Sequence, residues 1–465
     1  MSPEAPLNER SREELIALIL EQQRLIAELR AEIEQLKRWQ GRQAAPFSKG
    51  QPKANPKRPG RKPGQGPYLR RAAPLQPPTQ VVEAEVPECC PACGGFLDWI
   101  GEEGATTTEL PLRPQPVVTA WRVPLCRCRK CGKQVRGTAS GLAPDQTGAT
   151  AHRVGPGAMA AAHALHYSIG VPVRKVPAIL QELTGISLTQ SAVTQDALRR
   201  LKRGVGAAYQ ALRQALPQAP VVYTDDTGWR VGGQAAFLMG FDTDRATVYQ
   251  IRPRHRNEEV REVIPADYGG VLVSDRGKSY DADVLKSISK QKCLAHLLRN
   301  ISDVVKTKQG RACEFGARLQ ILLREGLALW HARRDLTPEQ FQAGYRELEE
   351  VLTYQLRPRV LRDADNQRLL NCLGTQHDCG NLLRFLTTQG VEPTNNRAER
   401  ILRPAVIARK VSHCSKTQTG ANAFAAFASL AQTALKNGSA SVTSAFHSLF
   451  SSPLSDASPV VANSR

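Results

Sequence analysis

The chain has 465 residues, 41% of them hydrophobic and 23% charged, with a net charge of +20 and a pI near 9.7. That is too long for one ordinary domain and apolar enough to exclude wholesale disorder, while the charge predicts a polyanionic partner, nucleic acid or an acidic membrane surface. No apolar run approaches the ~18 residues of a membrane span, the opening MSPEAPLNERSREEL lacks a secretory apolar stretch, and eleven cysteines do not read as a disulfide framework, so the cytoplasm is expected.

In chain order, the first element is a heptad from Leu15 to Leu36. Ile19, Ile26 and Ile33 recur at one apolar position, and Leu15, Gln22, Leu29 and Leu36 at the other. Ile at a with Leu at d predicts a parallel two-stranded coiled coil with Gln22 as a polar register mark. Residues 1–40 are therefore expected to pair two protomers. From Gly41 to Gln80 there are nine Lys or Arg and no acid, among many prolines and glycines. Burial cannot offset the ordering entropy of such a stretch, which reads as a mobile basic linker. Its centre, KRPGRKPGQG, presents Arg58, Arg61 and Lys62 on an extended backbone, either as a minor-groove arm or as a solvated spacer.

Residues 81–140 contain CCPACGG and CRCRKCGK. Cys90 with Cys93, and Cys128 with Cys131, form two C-x2-C pairs, each followed by a glycine that permits a tight knuckle. Four thiolates close a tetrahedral structural zinc site with no open catalytic position, so a zinc ribbon is expected. Cys89 and Cys126 leave the ligand choice open. Residues 141–215 are Ala- and Leu-rich, and VRKVPAILQELTGISLTQSAVTQDALRRLKRGV predicts a helix, a turn at Gly185, and a second helix capped by Ser187 or Thr189. That spacing suits a DNA-binding helix-turn-helix with Arg199, Arg200, Lys202 and Arg203 near phosphates, and equally an ordinary helical pair.

After Pro220 the pattern changes. PVVYTDDTGWRVGG, QAAFLMGFDTD and ATVYQIRP predict a meander of three strands, NEEVREVI a short helix, and GGVLVSD a buried parallel strand. Asp225 is expected near the end of the first strand and Asp275 at the end of the later one, with Asp226 as a turn residue. If those strands are parallel neighbours, both carboxylates project from the edge where open α/β sheets bind ligands. Joined by a third carboxylate they can hold two magnesium or manganese ions for phosphoryl transfer. Glu399 lies in VEPTNNRAERILRPAVIARK, three residues after Asn396, a spacing that also suits a capping box. Pro404 is expected to end or kink that helix. Trp229 is expected to pack beneath its strand, and Cys293 and His296 of CLAHLL to be buried supports rather than metal ligands.

The stretches YTDDTGWRVGG, LVSDRGKSY, QKCLAHLLRN and EPTNNRAERILRPAVIARKVS occur in this order. Together they resemble the insertion-sequence-66-type branch of the DDE transposases. The N-terminal helix, the PGRKPG segment and the paired knuckles resemble that family's layout too, so the match spans roughly residues 10 to 435. The resemblance implies a multidomain α/β chain with an RNase H-like mixed sheet. Its catalytic core would occupy 216–299 and 391–435, interrupted by an all-helical insertion at 300–390 and followed by a tail at 436–465. Asp225, Asp275 and Glu399 would be the catalytic triad on magnesium or manganese, with structural zinc elsewhere. Arg397, Arg400, Arg403, Arg409 and Lys410 would neutralise phosphates beside it. The implied activity is DNA strand cleavage and strand transfer. The implied partners are the element's ends and target DNA, a second copy of the chain, and accessory proteins of the same element. No membrane is implied, and DNA-bound protein would be nucleoid-associated. An inactive DNA-binding regulator and a stand-alone metal-dependent nuclease are the rival readings. Asp226 stands where the family more often has Glu, and the tail departs from its usual C-terminus.

Overall fold

The computed structural model describes residues 11–42, 77, 80–85, 87–101, 105, 107, 116–143, 145–148 and 151–451. The segment bearing Arg58, Arg61 and Lys62 lies outside them. Two units divide the chain, Lys49–Gln115 and the remainder. Helix α1 (Arg12–Arg42) forms where Leu, Ile, Glu, Gln and Arg follow one another without a breaker. Ile19, Ile26, Leu29 and Ile33 stay exposed along it. A short hairpin, β1 (Leu125–Arg127) with β2 (Gln134–Arg136), brackets the second cysteine pair.

Four helices come next: α2 (Pro156–His163), α3 (Val176–Thr184), α4 (Gln190–Leu201) and α5 (Gly204–Ala215). Gly185 ends α3 with φ +73, a conformation that favours glycine, and Thr189 caps α4 by accepting from the Ala192 N–H at 3.1 Å. The basic end of α4 is partly committed. Arg200 pairs with Asp196 at 2.6 Å and covers the Phe450 ring, while Arg199 lies 3.5 Å from the same carboxylate.

A five-stranded mixed sheet follows. β3 (Val221–Val231), β4 (Gln234–Asp242) and β5 (Thr247–Arg252) form an antiparallel meander. After helix α6 (Asn257–Arg261), β6 (Val271–Ser274) joins β3 in parallel, and β7 (Ser289–Lys292) extends the sheet in parallel to β6. The spatial order is β5-β4-β3-β6-β7. Strand alternation divides the core. Val222, Met239, Phe241 and Leu272 face α5, α13 and α14, whereas Val221, Tyr223, Val271 and Val273 face the helices of residues 294–387.

Those helices are α7 (Leu294–Val305), α8 (Ala312–Ala332), α9 (Pro338–Leu356), α10 (Ala364–Asp378) and α11 (Arg384–Thr387). Thr337 and Gln340 close a reciprocal capping box at α9, with Pro338 at its first position. The chain returns through α12 (Asn396–Ser412), α13 (Gln418–Lys436) and α14 (Val442–Ser451). Residues 436–451 are thus not a tail. Phe446 is buried and stacks on Phe450, and the Lys436 ammonium pairs with Asp242.

Pro404 does not end α12, which runs unbroken to Ser412. A proline withholds one N–H from the carbonyl four residues back, here that of Arg400, a residue on the exposed side of the helix. The helix is fastened along its whole length. Asn395 donates to the Thr224 carbonyl at 2.7 Å, the Tyr249 hydroxyl donates to the Ile401 carbonyl at 2.5 Å, and Ser415 exchanges backbone bonds with Arg230 and Gly232. Close approach is possible because position 240 is glycine. A Cβ there would stand 2.9 Å from Ile401 Cδ1 and 3.0 Å from Leu402 Cδ2, both on buried side chains. Gly240→Val should therefore cost roughly 1–3 kcal/mol of stability by overpacking, read as a lower urea midpoint; an unchanged midpoint would show that the helix has room to move.

Candidate active site

β3 and β6 pair in parallel with Val221 opposite Val271, Val222 opposite Leu272 and Tyr223 opposite Val273. The offset is fifty residues at each pair, and Asp225 and Asp275 keep it. The two aspartates thus leave adjacent strands at one level of one edge. The expectation that Asp225 sits near the end of its strand is corrected: β3 runs on to Val231, paired with β4, and only its parallel partnership stops at Tyr223. Asp226 is not a turn residue either. It lies within β3, and alternation sends it to the opposite face from Asp225, where it meets His255 at 3.1 Å.

Burial pushes the Asp225 carboxyl up to about 7, and the negative charges of Asp275 and Asp226 add to the rise against the Asp226 N–H and His296. Asp225 Oδ1 accepts from the Asp226 N–H at 2.9 Å, and Asp275 Oδ1 from the Gly277 N–H at 2.8 Å. The second strand end is fixed from beneath. Lys292, fully buried, donates to the Asp275 carbonyl at 3.2 Å and pairs with Asp281 at 2.7 Å.

Glu399 comes from α12. The helix begins at Asn396, with Asn395 at the cap making no side-chain cap bond. The Asn396–Glu399 capping box therefore does not form: the Asn395 amide is spent on Thr224, and the Glu399 carboxylate faces His296 at 3.7 Å. His296 is raised above its ordinary range, first by its hydrogen bond with Cys293 and then by the charges of Asp225 and Glu399. One imidazole thus feels both the strand-borne and the helix-borne carboxylate. Burial would raise the Cys293 thiol, but His296 and the Asn395 N–H, 3.2 Å away, outweigh it and hold the thiol down.

The basic residues of α12 separate into two groups. Arg397 pairs with Asp242 at 2.7 Å and Asp244 at 2.5 Å, and Arg409 donates to Thr227 and the Gly228 carbonyl. Both are committed to the sheet. Arg400, Arg403 and Lys410 are exposed at helical spacing and have no ion pair among the described residues. Trp229 is buried, tilted against Phe424 and bonded to Ser415 at 3.2 Å.

Both cysteine pairs adopt the same turn. The Gly94 N–H donates to the Cys90 carbonyl at 2.8 Å and the Gly132 N–H to the Cys128 carbonyl at 2.9 Å, with φ +71 and +70 at the two glycines. The N–H groups of Ala92 and Cys93 hold the Cys90 thiol down, and those of Cys131 and Lys130 do so for Cys128. Cys90 and Cys93 fall in one unit and Cys128 and Cys131 in the other. Among the described residues, no three His, Cys, Asp or Glu side chains stand close enough together to hold a metal ion as placed.

Sequence reasoning missed Gly240, Lys292 and Asn395. Gly240 has a period signal only, an unbranched gap in an apolar strand. Lys292 lies in SKQK, which no apolar pattern marks as a buried strand. Asn395 stood beside the asparagine chosen as the cap.

Free of divalent ions, Asp225 titrates near 7 when folded against an ordinary 3.8. The folded state then keeps a proton that the unfolded chain releases, so stability falls as pH rises from about 4 to about 7, by ~3–4 kcal/mol. Asp225→Asn should melt higher than wild type at pH 8 in chelator and no higher at pH 4. Equal melting at pH 8 would contradict the buried, repelled carboxylate.

No curated protein matches the chain in sequence. No helix among the described residues is long and apolar enough to cross a membrane. The sequence model described as "Transposase IS66 family" matches residues 152–423, more than half of the chain, and that span includes Asp225, Asp275, the helices of residues 294–387 and Glu399. The chain belongs to the IS66 transposase family.

Proposed function

We propose that the protein is a DDE-type transposase that cleaves DNA strands and joins a 3′-hydroxyl to target DNA at Asp225, Asp275 and Glu399. The observation that carries the reading is the shared register of the two aspartates, with Glu399 brought to the same imidazole that Asp225 engages. The strand order β5-β4-β3-β6-β7, with an antiparallel meander followed by two parallel strands, supports an RNase H-like core.

Magnesium or manganese suits the donor set. Carboxylate oxygens are hard ligands, and both the burial that chiefly raises Asp225 and the lesser repulsion from Asp275 are what a cation between the carboxylates would offset. Asp225, Asp275 and Glu399 would hold the ions, which supply charge for an in-line displacement at phosphorus. The chain's own groups do the rest. The Gly277 and Asp226 N–H groups orient the aspartates, Lys292 fixes the Asp275 backbone, and His296 keeps Glu399 turned toward the sheet. Arg400, Arg403 and Lys410 present a basic stripe beside Glu399 for phosphates, giving salt-dependent affinity rather than sequence choice.

The same proposal includes zinc on the two knuckles, supported by their matched turns and lowered thiols, and pairing of two protomers through α1, supported by its exposed Ile19, Ile26, Leu29 and Ile33. Arg58, Arg61 and Lys62 would add a basic arm to DNA binding.

Purified protein with magnesium and its element's terminal DNA should give cleaved and strand-transfer products. Asp225→Ala, Asp275→Ala and Glu399→Ala should each bind that DNA within about threefold of wild type and lose cleavage by at least ~10²-fold. Cleavage without joined products would favour a nuclease, and full cleavage by Glu399→Ala would remove Glu399 from the site.

A further inference from the structure

Next to Asp275, and separate from the carboxylates, an open groove of about 440 Å³ runs between α7 and α10. Arg276 enters it from the β6 end, Asn300, Asp303 and Thr307 line it from α7, and Asp365 and Arg368 from α10. Its volume falls within the ~300–1,000 Å³ range of ligand sites. The charges divide unevenly. Asp303 is paired with Lys306 at 3.1 Å, and Asp365 with Lys308 at 2.6 Å and Arg368 at 2.9 Å. Both carboxylates of the groove are thus already neutralised. Arg276 has no ion pair among the described residues, and its Nε is buried without a hydrogen-bond partner.

An unpaired buried donor is unfavourable and is rare in folded proteins. Here it belongs to an always-charged guanidinium whose fork matches phosphate oxygens. It also stands one residue beyond a proposed catalytic carboxylate. Each DNA strand carries one phosphate per ~3.4 Å of helix axis, so a strand reacting at Asp275 has further phosphates a short way along on either side, the range in which position 276 stands. We infer that the groove between α7 and α10 is a binding subsite for the sugar-phosphate backbone of the reacting DNA strand, with Arg276 as its phosphate contact. The inference rests on the DNA-processing reading above and gives the helical insertion a direct part in holding substrate. The apolar floor, Val304 and Leu369, accommodates the sugar edge.

The test is the salt dependence of binding by the full chain to a fluorescent duplex of about 30 base pairs, with no magnesium or manganese added so that no strand is cut. Arg276→Ala should lower the slope of log affinity against log salt by about one unit and weaken binding about three- to tenfold near 0.1 M salt. Cys372→Phe, which narrows the groove from α10 and keeps the Arg276 charge, should lower the slope likewise. A wild-type slope in a folded Arg276→Ala protein overturns the subsite. Should that variant not fold, Cys372→Phe decides: a lowered slope supports the subsite and a wild-type slope overturns it. Wild-type protein with no affinity for DNA would instead overturn the parent reading, and this subsite with it.

Discussion

Helix α12 lies so close to β4 that Ile401 and Leu402 leave no room for a Cβ at Gly240. Gly240 is also the cross-strand partner of Asp225. The residue that lets the helix descend and the residue that the helix must reach are therefore opposite one another in the same ladder. Hydrogen bonds from Asn395, Tyr249 and Ser415 then fix the helix along its axis, so the depth set at Gly240 becomes a position for Glu399. Separation in sequence does not loosen this arrangement, although the helices α7 to α11 intervene between the sheet and α12. Their own apolar core packs on Tyr223 and Val273, the two residues that precede the aspartates by two positions.

Charge runs against packing at this place. Burial first, and then the neighbouring charges of Asp275 and Asp226, push the Asp225 carboxyl from 3.8 up to about 7, which is a penalty of several kcal/mol for full ionisation. A purely structural acid would gain a bonded cation nearby. Asp242 illustrates that solution, held between Arg397 and Lys436 at 1% exposure. Asp225 and Asp275 have no such ion pair among the described residues, and the His296 imidazole only partly offsets the charge of Asp225. Strain of this kind is expected where a site is built for a ligand rather than for stability.

Much of this was legible in the sequence. The meander, the parallel strand ending at Asp275, the capped α9 and the Gly185 turn follow from turn residues, branched apolar runs and cap chemistry. The proposal of Glu399 as a third carboxylate rests on family resemblance, because spacing alone suits a helix cap equally well. What stayed hidden had tertiary causes. β7 reads as SKQK, and its polar side chains are buried only because the Leu285 and Leu382 carbonyls and Asp281 receive them. α12 continues through Pro404 while bonds from Asn395, from Tyr249 to Ile401 and at Ser415 tie it and the residues beside it to the sheet. Arg397 and Arg409 look like free cations in sequence and become braces only when β3 and the β4 turn come beside them. The segment beyond Leu435 lacks any motif, yet Phe446 and Phe450 complete the core around Phe427.

On this reading Asp225, Asp275 and Glu399 act as one site although they arise from two sheet segments and a helix distant in sequence. Calorimetric titration of manganese onto the chelator-stripped protein addresses it without DNA or turnover. Asp225→Asn, Asp275→Asn and Glu399→Gln should each weaken the same binding event by at least about tenfold, and combining Glu399→Gln with either aspartate change should be less than additive. Wild-type affinity in Glu399→Gln, with the aspartate variants impaired, would contradict it.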